Sequence, residues 1–320
     1  MIGLSGFDYV FTRNQRHYDN KEKITVQAPN HVASFDMTKL DKIWFGTTIT
    51  WCEGQQKPGW RSCLLHADIC YLCRKKVKKI WKEQYAVNWD DISLDGKLSL
   101  TGLNIMLQRA ATYHAEHLGF GFTQTSVYNA SWVLFRINLE LIRMPEWCDQ
   151  VVVETWPRVV KGLAAYRDFI VTTPEGEVLC RATSEWFIID LTSRRPQQIE
   201  KYVDVELYTT DRQAVTRDIP TLSRNTDYET LFEVIPKYSD MDMNGHTNAR
   251  KYFDWLTDAM HQDNGKLNPT FVQMAYFSEC TLGEHLVIQR NTSVKGLYRG
   301  QKTAHDKTAF VAMVEMRNGG

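Results

Sequence analysis

The segment YSDMDMNGHTNARKYFDW, residues 238–255, contains a short polar turn followed at once by a helix-forming pattern. The turn carries Asp242, Asn244 and His246, separated by a methionine and a glycine. Apolar residues then recur every three or four positions, which predicts an amphipathic helix. Residues 231–236 are strand-like, so the segment is predicted to run from strand through turn to helix. Functional side chains concentrate in such connections, although Asp and Asn also commonly cap helices.

The turn belongs to an internal repeat, because a second copy of the pattern lies 149 residues upstream. At that spacing Asp95 aligns with Asn244 and Lys97 with His246, so only the downstream copy has a histidine at the turn. We interpret the downstream copy as the chemical one and the upstream copy as a unit that shapes a pocket. The alternative is that both copies are only packing partners. The other aligned pairs are Trp89 with Tyr238, Asp91 with Asp240, Gly96 with Gly245, and Leu107 with Leu256.

Each copy is predicted to contain one long helix and an antiparallel sheet, which together make an α+β fold. Apolar spacing predicts the helices at 100–118 and 247–260. Alternating patterns predict strands at 81–89, 132–143, 150–156, 164–173 and 178–190 in the first copy, and at 231–236, 271–280, 285–294 and 308–317 in the second. Along the strand 132–143, the alternation predicts one shared face for Phe135, Ile137, Leu139 and Leu141.

The predicted domains are 79–201 and 228–320, joined by a polar linker at 202–227. Residues 1–78 show no persistent helix or strand pattern, and we interpret them as an appended segment, either disordered or a non-native extension. This segment contains a CxxC pair, Cys70 and Cys73, with Cys52, Cys63 and His66 nearby. A second CxxC or a HxxxH is missing, so the spacing disfavours a zinc site.

Composition and charge exclude several classes of protein. Hydrophobic residues make up 43% and charged residues 24% of the 320 residues, as in ordinary globular domains. Basic and acidic residues are equal at 38 each, so no overall positive field favours nucleic acid. No apolar run reaches the length of a membrane span, no secretory signal is recognised, and seven cysteines without regular spacing predict no disulfide framework. These observations predict a cytoplasmic protein.

Three separated segments resemble the acyl-acyl-carrier-protein thioesterases of plants and bacteria. They are WVLFRINLELIRMPEWCDQVVVETWP (132–157), AYRDFIVTTPEGEVLCRATSEWFIIDLTSRRPQ (165–197) and the segment 238–255. The resemblance runs from about residue 80 to residue 317 and implies two tandem hot-dog domains, each a long helix wrapped by an antiparallel sheet. It implies hydrolysis of fatty acyl-acyl carrier protein without a metal or organic cofactor, by a monomer or a homodimer.

The resemblance also implies a catalytic set made of Asp242, Asn244 and His246 in the turn and Glu279 on a following strand. Glu279 is the candidate to activate water, and His246 to share that task or to protonate the leaving sulfur. Asn244 is expected to orient the water or the carbonyl, and Asp242 to orient its neighbours. Backbone N–H groups at the start of the helix are expected to stabilise the oxyanion. Gly245 stands where plant members of the family carry a larger polar residue.

Several other residues could have either a functional or a purely structural role. Cys280 could be a nucleophile, but neighbours on a strand face opposite sides, which favours Glu279 in the site and Cys280 in packing. His114 and His117 are favoured as ordinary core or surface histidines over a metal pair. The basic pairs Arg194-Arg195 and Arg250-Lys251 could steer an acidic carrier protein, although solvated surface charge is the favoured interpretation for each.

Three alternative functions remain open at this point. Acyl-CoA could replace the carrier protein as substrate, but no motif for an adenine-nucleotide site is found. A hot-dog hydratase or dehydratase would favour a single acidic residue and histidine on the helix and would not need Asn244. A non-catalytic acyl-thioester sensor is disfavoured, because no helix-turn-helix accompanies the repeat and the turn retains its polar set.

Overall fold

The computed structural model describes residues 78–220, 222, 227–265, 267–304 and 306–317, together with the backbone of three strands near the N-terminus. The chain divides into two compact units, Met1–Ile69 and Cys70–Gly320. In the first unit, β1 (Val10–Asn14), β2 (Lys23–Ala28) and β3 (His31–Asp36) form an antiparallel sheet. These strands were not predicted from the sequence. The CxxC cluster considered above lies outside the described residues.

The second unit contains both copies of the repeat. The first copy comprises β4 (Trp81–Ala86), α1 (Leu100–Leu118), α2 (Phe122–Thr125), β5 (Ala130–Leu141), β6 (Gln150–Lys161), β7 (Ala164–Thr172), β8 (Val178–Asp190) and β9 (Pro196–Gln197). After it comes α3 (Val205–Tyr208), inside the predicted linker. The second copy comprises β10 (Tyr228–Val234), α4 (Ala249–Asn264), β11 (Pro269–Tyr276), β12 (Leu286–Asn291), β13 (Leu297–Lys302) and β14 (Thr308–Met316). None of the described helices is long and apolar enough to cross a membrane.

The strands of the two copies form one eleven-stranded sheet, in the order β10-β12-β13-β14-β11-β5-β8-β7-β6-β4, with β9 paired to β8. The copies meet where β11 pairs antiparallel with β5, from Phe271 opposite Glu140 to Ala275 opposite Arg136. This pairing satisfies the backbone of two strands that would otherwise be open sheet edges.

The sequence did not predict β13. Its six residues, LYRGQK, include a glycine and three polar or charged side chains, so they lack the apolar alternation of a strand. The structure gives a reason for the glycine, since a Cβ on Gly300 would lie 2.3 Å from a ring carbon of Phe310 on the neighbouring strand. Close approach of this ring therefore requires glycine.

Both helices pack on the sheet in one hydrophobic core. Its buried residues include Leu103 and Leu107 of α1 and Phe253 and Leu256 of α4. The apolar residues whose spacing predicted the two helices therefore include those that the helices bury. The helices also contact each other, and Thr101 Oγ1 donates a hydrogen bond to Asp254 Oδ1 at 2.5 Å. Because the core is shared, neither copy buries its apolar surface independently of the other.

The predicted face of β5 is wrong at one position. The register between β5 and β8 shifts between Leu134 and Arg136, which makes Phe135 the extra residue of a β-bulge. A bulge interrupts alternation, so Leu134 packs against the shared core. Phe135 instead contacts Phe187, with ring centroids 5.4 Å apart, and Phe277, at 5.9 Å.

The first copy also contains a buried histidine. His114 on α1 is fully buried, with Nε2 2.8 Å from the carbonyl oxygen of Lys78 and Nδ1 3.1 Å from a guanidinium nitrogen of Arg167. Arg167 can only donate, so Nδ1 accepts and Nε2–H donates. Burial, reinforced by the Arg167 charge, lowers the pKa of His114 to about 3. The histidine is thus a neutral core residue, as the sequence favoured.

This pKa predicts a loss of stability in mild acid. Below the pKa of about 6.5 of an unfolded histidine, the unfolded chain takes up a proton that folded His114 does not, so unfolding becomes easier as pH falls. Between pH 7 and pH 5 the contribution of His114 should fall by about 2 kcal/mol. We expect His114→Gln to flatten the pH dependence of urea unfolding. The matched control is His117→Gln, on an exposed histidine of the same helix. An unchanged slope in His114→Gln would contradict the prediction.

Candidate functional site

The predicted polar turn lies between a 3-10 turn, Tyr238–Asp240, and α4. It is closed by backbone hydrogen bonds from Asp242 N to the carbonyl oxygen of His246 at 2.7 Å and from Gly245 N to that of Asp242 at 3.1 Å. Gly245 has φ +75°, in the left-handed region that glycine adopts without strain. The backbone therefore reverses sharply and presents its side chains at the start of the helix.

Asp242 shapes this turn through its carboxylate. Its Oδ1 accepts the backbone N–H of Asn244 at 2.8 Å and that of His246 at 3.2 Å. The same oxygen thus restrains the backbone of both residues that follow. The structure therefore gives Asp242 contacts to the backbone of its neighbours, and the orienting role expected for it stays a prediction.

A backbone hydrogen bond fastens the turn to the loop after β11. Thr247 N donates to the carbonyl oxygen of Cys280 at 2.7 Å, which brings the flanking residues His246 and Glu279 together. His246 Nε2 lies 3.1 Å from Glu279 Oε2. The Glu279 side chain is 41% exposed and that of His246 24%, so the pair can reach solvent water.

The location of Glu279 on a strand is wrong, because β11 ends at Tyr276. The N–H groups of Phe277 and Ser278 both donate to the carbonyl oxygen of Ala309, which turns the chain out of the ladder. Strand alternation therefore does not separate Glu279 from Cys280. They are separated by burial, since Cys280 is fully buried while Glu279 is half exposed. Burial also raises the pKa of the Cys280 thiol, which makes it a poor nucleophile.

Two cations contact Glu279, and neither was assigned to the site from sequence. Arg194 Nη2 donates to Glu279 Oε1, on the carboxylate oxygen that does not face His246. Lys302 Nζ donates to the backbone carbonyl oxygen of Glu279 and lies 3.0 Å from Glu284 Oε1. Arg194 had been recognised only as one half of a surface basic pair. Its separation of 85 residues from Glu279 leaves no local sequence signal for this contact.

The equivalent turn of the first copy has the same backbone but different side chains. Ser93 N donates to the carbonyl oxygen of Lys97 at 2.8 Å, and Gly96 has φ +77°. Leu98 N donates to the carbonyl oxygen of Pro145, as Thr247 does to that of Cys280. The aligned residues are Ser93 for Asp242, Asp95 for Asn244, Lys97 for His246, and Met144 for Glu279. The first copy therefore keeps the backbone of the turn but has neither the histidine nor the glutamate.

The start of α4 offers less to an oxyanion than the sequence predicts. The N–H groups of Thr247, Asn248, Arg250 and Lys251 already donate to protein oxygens. A committed donor gives up a hydrogen bond to bind a second acceptor. The exposed side-chain amide of Asn244 makes no hydrogen bond within the described part of the chain and is the better candidate donor.

Within the described residues, no group of three or more His, Cys, Asp or Glu side chains could hold a metal ion. In the turn region, His246 and Glu279 form a contact between two such side chains. Two ligands are fewer than the three or four protein groups that zinc sites use. Histidine and glutamate are also residue types that serve as general acids and bases.

The turn geometry makes a prediction for Gly245. A Cβ added there meets no atom within 4 Å, so the cost of substitution is that of the left-handed backbone alone. Asn tolerates this conformation, whereas a β-branched residue loses about 1–3 kcal/mol in it. We expect Gly245→Asn to keep the melting temperature close to wild type and Gly245→Val to lower it by several degrees. Gly96→Val is the matched variant, because it makes the same substitution at the left-handed glycine of the first copy. A Gly245→Val protein as stable as wild type would show that the left-handed backbone does not restrict residue 245.

Two family models match the chain, in the order of its repeat. The model for the acyl-ACP thioesterase N-terminal domain matches residues 78–207, and the model for the C-terminal domain matches residues 223–316. Together they cover well over half of the chain. Each model spans one copy of the helix and its strands.

Named relatives and solved structures agree with the family models. The chloroplastic oleoyl-acyl carrier protein thioesterase 2 of Arabidopsis thaliana is 24% identical over 272 residues, which cover 75% of this chain and 73% of that protein. The chloroplastic palmitoyl-acyl carrier protein thioesterase of Gossypium hirsutum is 29% identical over 193 residues, covering 56% and 47%.

The structural comparisons confirm the predicted fold of two tandem hot-dog domains. An acyl-ACP thioesterase from Bacteroides thetaiotaomicron matches with a TM-score of 0.68 at 24% identity, covering 75% of this chain and 98% of that one. The 12:0-ACP thioesterase from Umbellularia californica matches with a TM-score of 0.63 at 24% identity, covering 74% and 97%. With both family models matched in sequence order over the two copies, the chain belongs to the acyl-acyl-carrier-protein thioesterase family.

Proposed function

We propose that this protein hydrolyses the thioester of fatty acyl-acyl carrier protein, releasing free fatty acid and the carrier protein and so ending chain elongation. The observation that carries the proposal is the 3.1 Å contact between His246 Nε2 and Glu279 Oε2, beside the turn that holds Asp242 and Asn244. The other copy has Lys97 and Met144 at these positions, so one half of the molecule is equipped for acid–base chemistry.

The reaction adds water across the C–S bond, so one proton must leave the water and one must reach the sulfur. Glu279 takes the proton from the attacking water, since its carboxylate is half exposed. His246 delivers a proton to the leaving thiolate, because imidazole can give and take protons near neutral pH. Their 3.1 Å separation lets a proton pass between them, which resets the pair after each turnover.

Asn244 and Asp242 complete this proposal. The side-chain amide of Asn244 donates to the thioester carbonyl as its oxygen becomes negative. Asp242 does not touch the substrate and acts through the backbone of Asn244 and His246, which its carboxylate restrains. The first copy, with α1 and β5, shapes the acyl pocket. The proposed hydrolysis needs no metal or organic cofactor.

The carrier, the assembly and the cellular location are finer parts of the same proposal. The names of plant relatives specify acyl carrier protein and the chloroplast. We propose acyl carrier protein as the partner, a monomer or a homodimer as the active form, and the cytoplasm as the compartment. Acyl-CoA hydrolysis is the competing specificity, which side-by-side assays on both carriers would distinguish.

The proposed roles predict the effect of removing the acid–base pair. We expect His246→Ala and Glu279→Gln each to lower kcat by about 100-fold or more, the usual contribution of a general acid or base. The measurement is free-thiol release from C8 to C18 thioesters of acyl carrier protein and of CoA.

Lys97→Ala and Met144→Gln are the matched controls, because they alter the equivalent positions of the first copy. Both should retain wild-type kcat. Thiol release only from CoA would overturn the choice of carrier. Absence of release from either carrier by the wild-type protein would overturn the hydrolase itself.

Cys280 gives a separate prediction. Because its thiol is fully buried, with a raised pKa, and its backbone fastens the turn, we expect Cys280→Ala to retain kcat within about threefold of wild type. Loss of a true nucleophile would cost on the order of 10³-fold or more. An inactive but folded Cys280→Ala enzyme, judged by circular dichroism and melting temperature, would restore the nucleophile interpretation.

A further inference from the structure

Arg194 lies at the end of a tightly built turn between β8 and β9. The carboxylate Oδ1 of Asp190 accepts the N–H of Thr192 at 3.1 Å and that of Ser193 at 2.7 Å. Arg194 N then donates to the carbonyl oxygen of Asp190 at 2.8 Å. Arg194 has φ +58°, a left-handed conformation that non-glycine residues adopt infrequently. Such conformations concentrate at functional sites, where surrounding contacts hold them.

The turn is anchored to the strand beside it. Leu191 N donates to the carbonyl oxygen of Asn129 at 2.9 Å, and Asn129 Nδ2 donates to Thr192 Oγ1 at 2.8 Å. Asn129 directly precedes β5, the strand that pairs with β11 of the second copy. The base of the Arg194 side chain is therefore held relative to the loop that carries Glu279.

The two oxygens of the Glu279 carboxylate contact residues of different copies of the repeat. Oε1 accepts a hydrogen bond from Arg194 of the first copy, and Oε2 faces His246 of the second copy at 3.1 Å. Glu279 is half exposed and has three rotatable side-chain bonds, so a single contact to His246 leaves its direction poorly defined. Two contacts on opposite oxygens define the plane of the carboxylate.

We propose that Arg194 is a positioning residue of the reaction, which holds Glu279 against His246 and so makes the first copy part of the catalytic apparatus. This inference rests on the proposed hydrolase function. It assigns Arg194 a role distinct from general attraction of an acidic carrier protein. The neighbouring Arg195 side chain is also exposed but makes no ion pair with a described residue, so the two arginines of the pair should differ.

The positioning role and a carrier-steering role have different kinetic signatures. A misdirected Glu279 impairs the chemical step whichever carrier bears the acyl chain, because small displacements of a catalytic group can cost on the order of 10²-fold in rate. Loss of a steering charge weakens the encounter with acidic carrier protein, so it raises KM for that substrate. This rise in KM becomes larger as the ionic strength falls. It leaves kcat unchanged.

The test compares Arg194→Met, Arg194→Lys and the control Arg195→Met with wild type, on acyl-carrier-protein and acyl-CoA thioesters. We expect Arg194→Met to lower kcat about tenfold or more on every thioester that the wild type hydrolyses, with KM within about threefold. Arg194→Lys should recover part of the loss, since it keeps one cationic donor. Arg195→Met should retain kcat. Met is unbranched at Cβ, as Arg is, so neither Met variant adds a β-branched side chain to this turn, which limits effects on folding.

A second measurement reports the contact without activity. In chemical unfolding, Arg194→Met and Glu279→Gln should shift the midpoint by less together than the sum of their separate shifts. Additive shifts would contradict the contact.

Wild-type kcat in Arg194→Met, or a change confined to KM for the carrier protein, would overturn the inference and leave the hydrolase standing. A wild type that releases no thiol from either carrier would overturn both.

Discussion

The pairing of β5 with β11 is the contact on which the rest of the second unit depends. Five residue pairs, from Phe271 with Glu140 to Ala275 with Arg136, join two sheets into one. The joined sheet lets α1 and α4 share a single hydrophobic core. It also brings the turn after β8 close to the loop after β11, and these two segments carry Arg194 and Glu279. The site therefore contains residues of both copies and lies near the junction of β5 with β11.

The two copies show how a scaffold can be kept while its chemistry changes. Both turns follow a 3-10 turn, reverse at a left-handed glycine and lead into a helix capped by a polar side chain, Ser99 or Asn248. The backbone hydrogen bonds that close them correspond one to one. The side chains differ, which is possible because the hydrogen bonds common to both turns join main-chain groups.

Aromatic packing stabilises the junction of the two copies beside the site. The bulge in β5 turns Phe135 away from the shared core and toward Phe187 of β8 and Phe277 of the loop after β11. Phe135 contacts each of the other two rings edge to face, an arrangement that adds attraction beyond the burial of their area. They connect the strand that leads to Arg194 with the loop that leads to Glu279. The bulge thus contributes to the geometry of the site as well as to the shape of the sheet.

Local pattern by itself determined the repeat, both helices, most strands of the second unit and the turn that carries Asp242, Asn244 and His246. These follow from periodicity and turn chemistry over a few residues, which a sequence displays directly. Glu279 came from family resemblance. Tertiary structure alone decided the bulge at Phe135, the glycine-containing strand β13, the burial that separates Cys280 from Glu279, and the contact of Arg194. Each of these depends on residues distant in sequence meeting across a strand pair, and no local period records such a meeting.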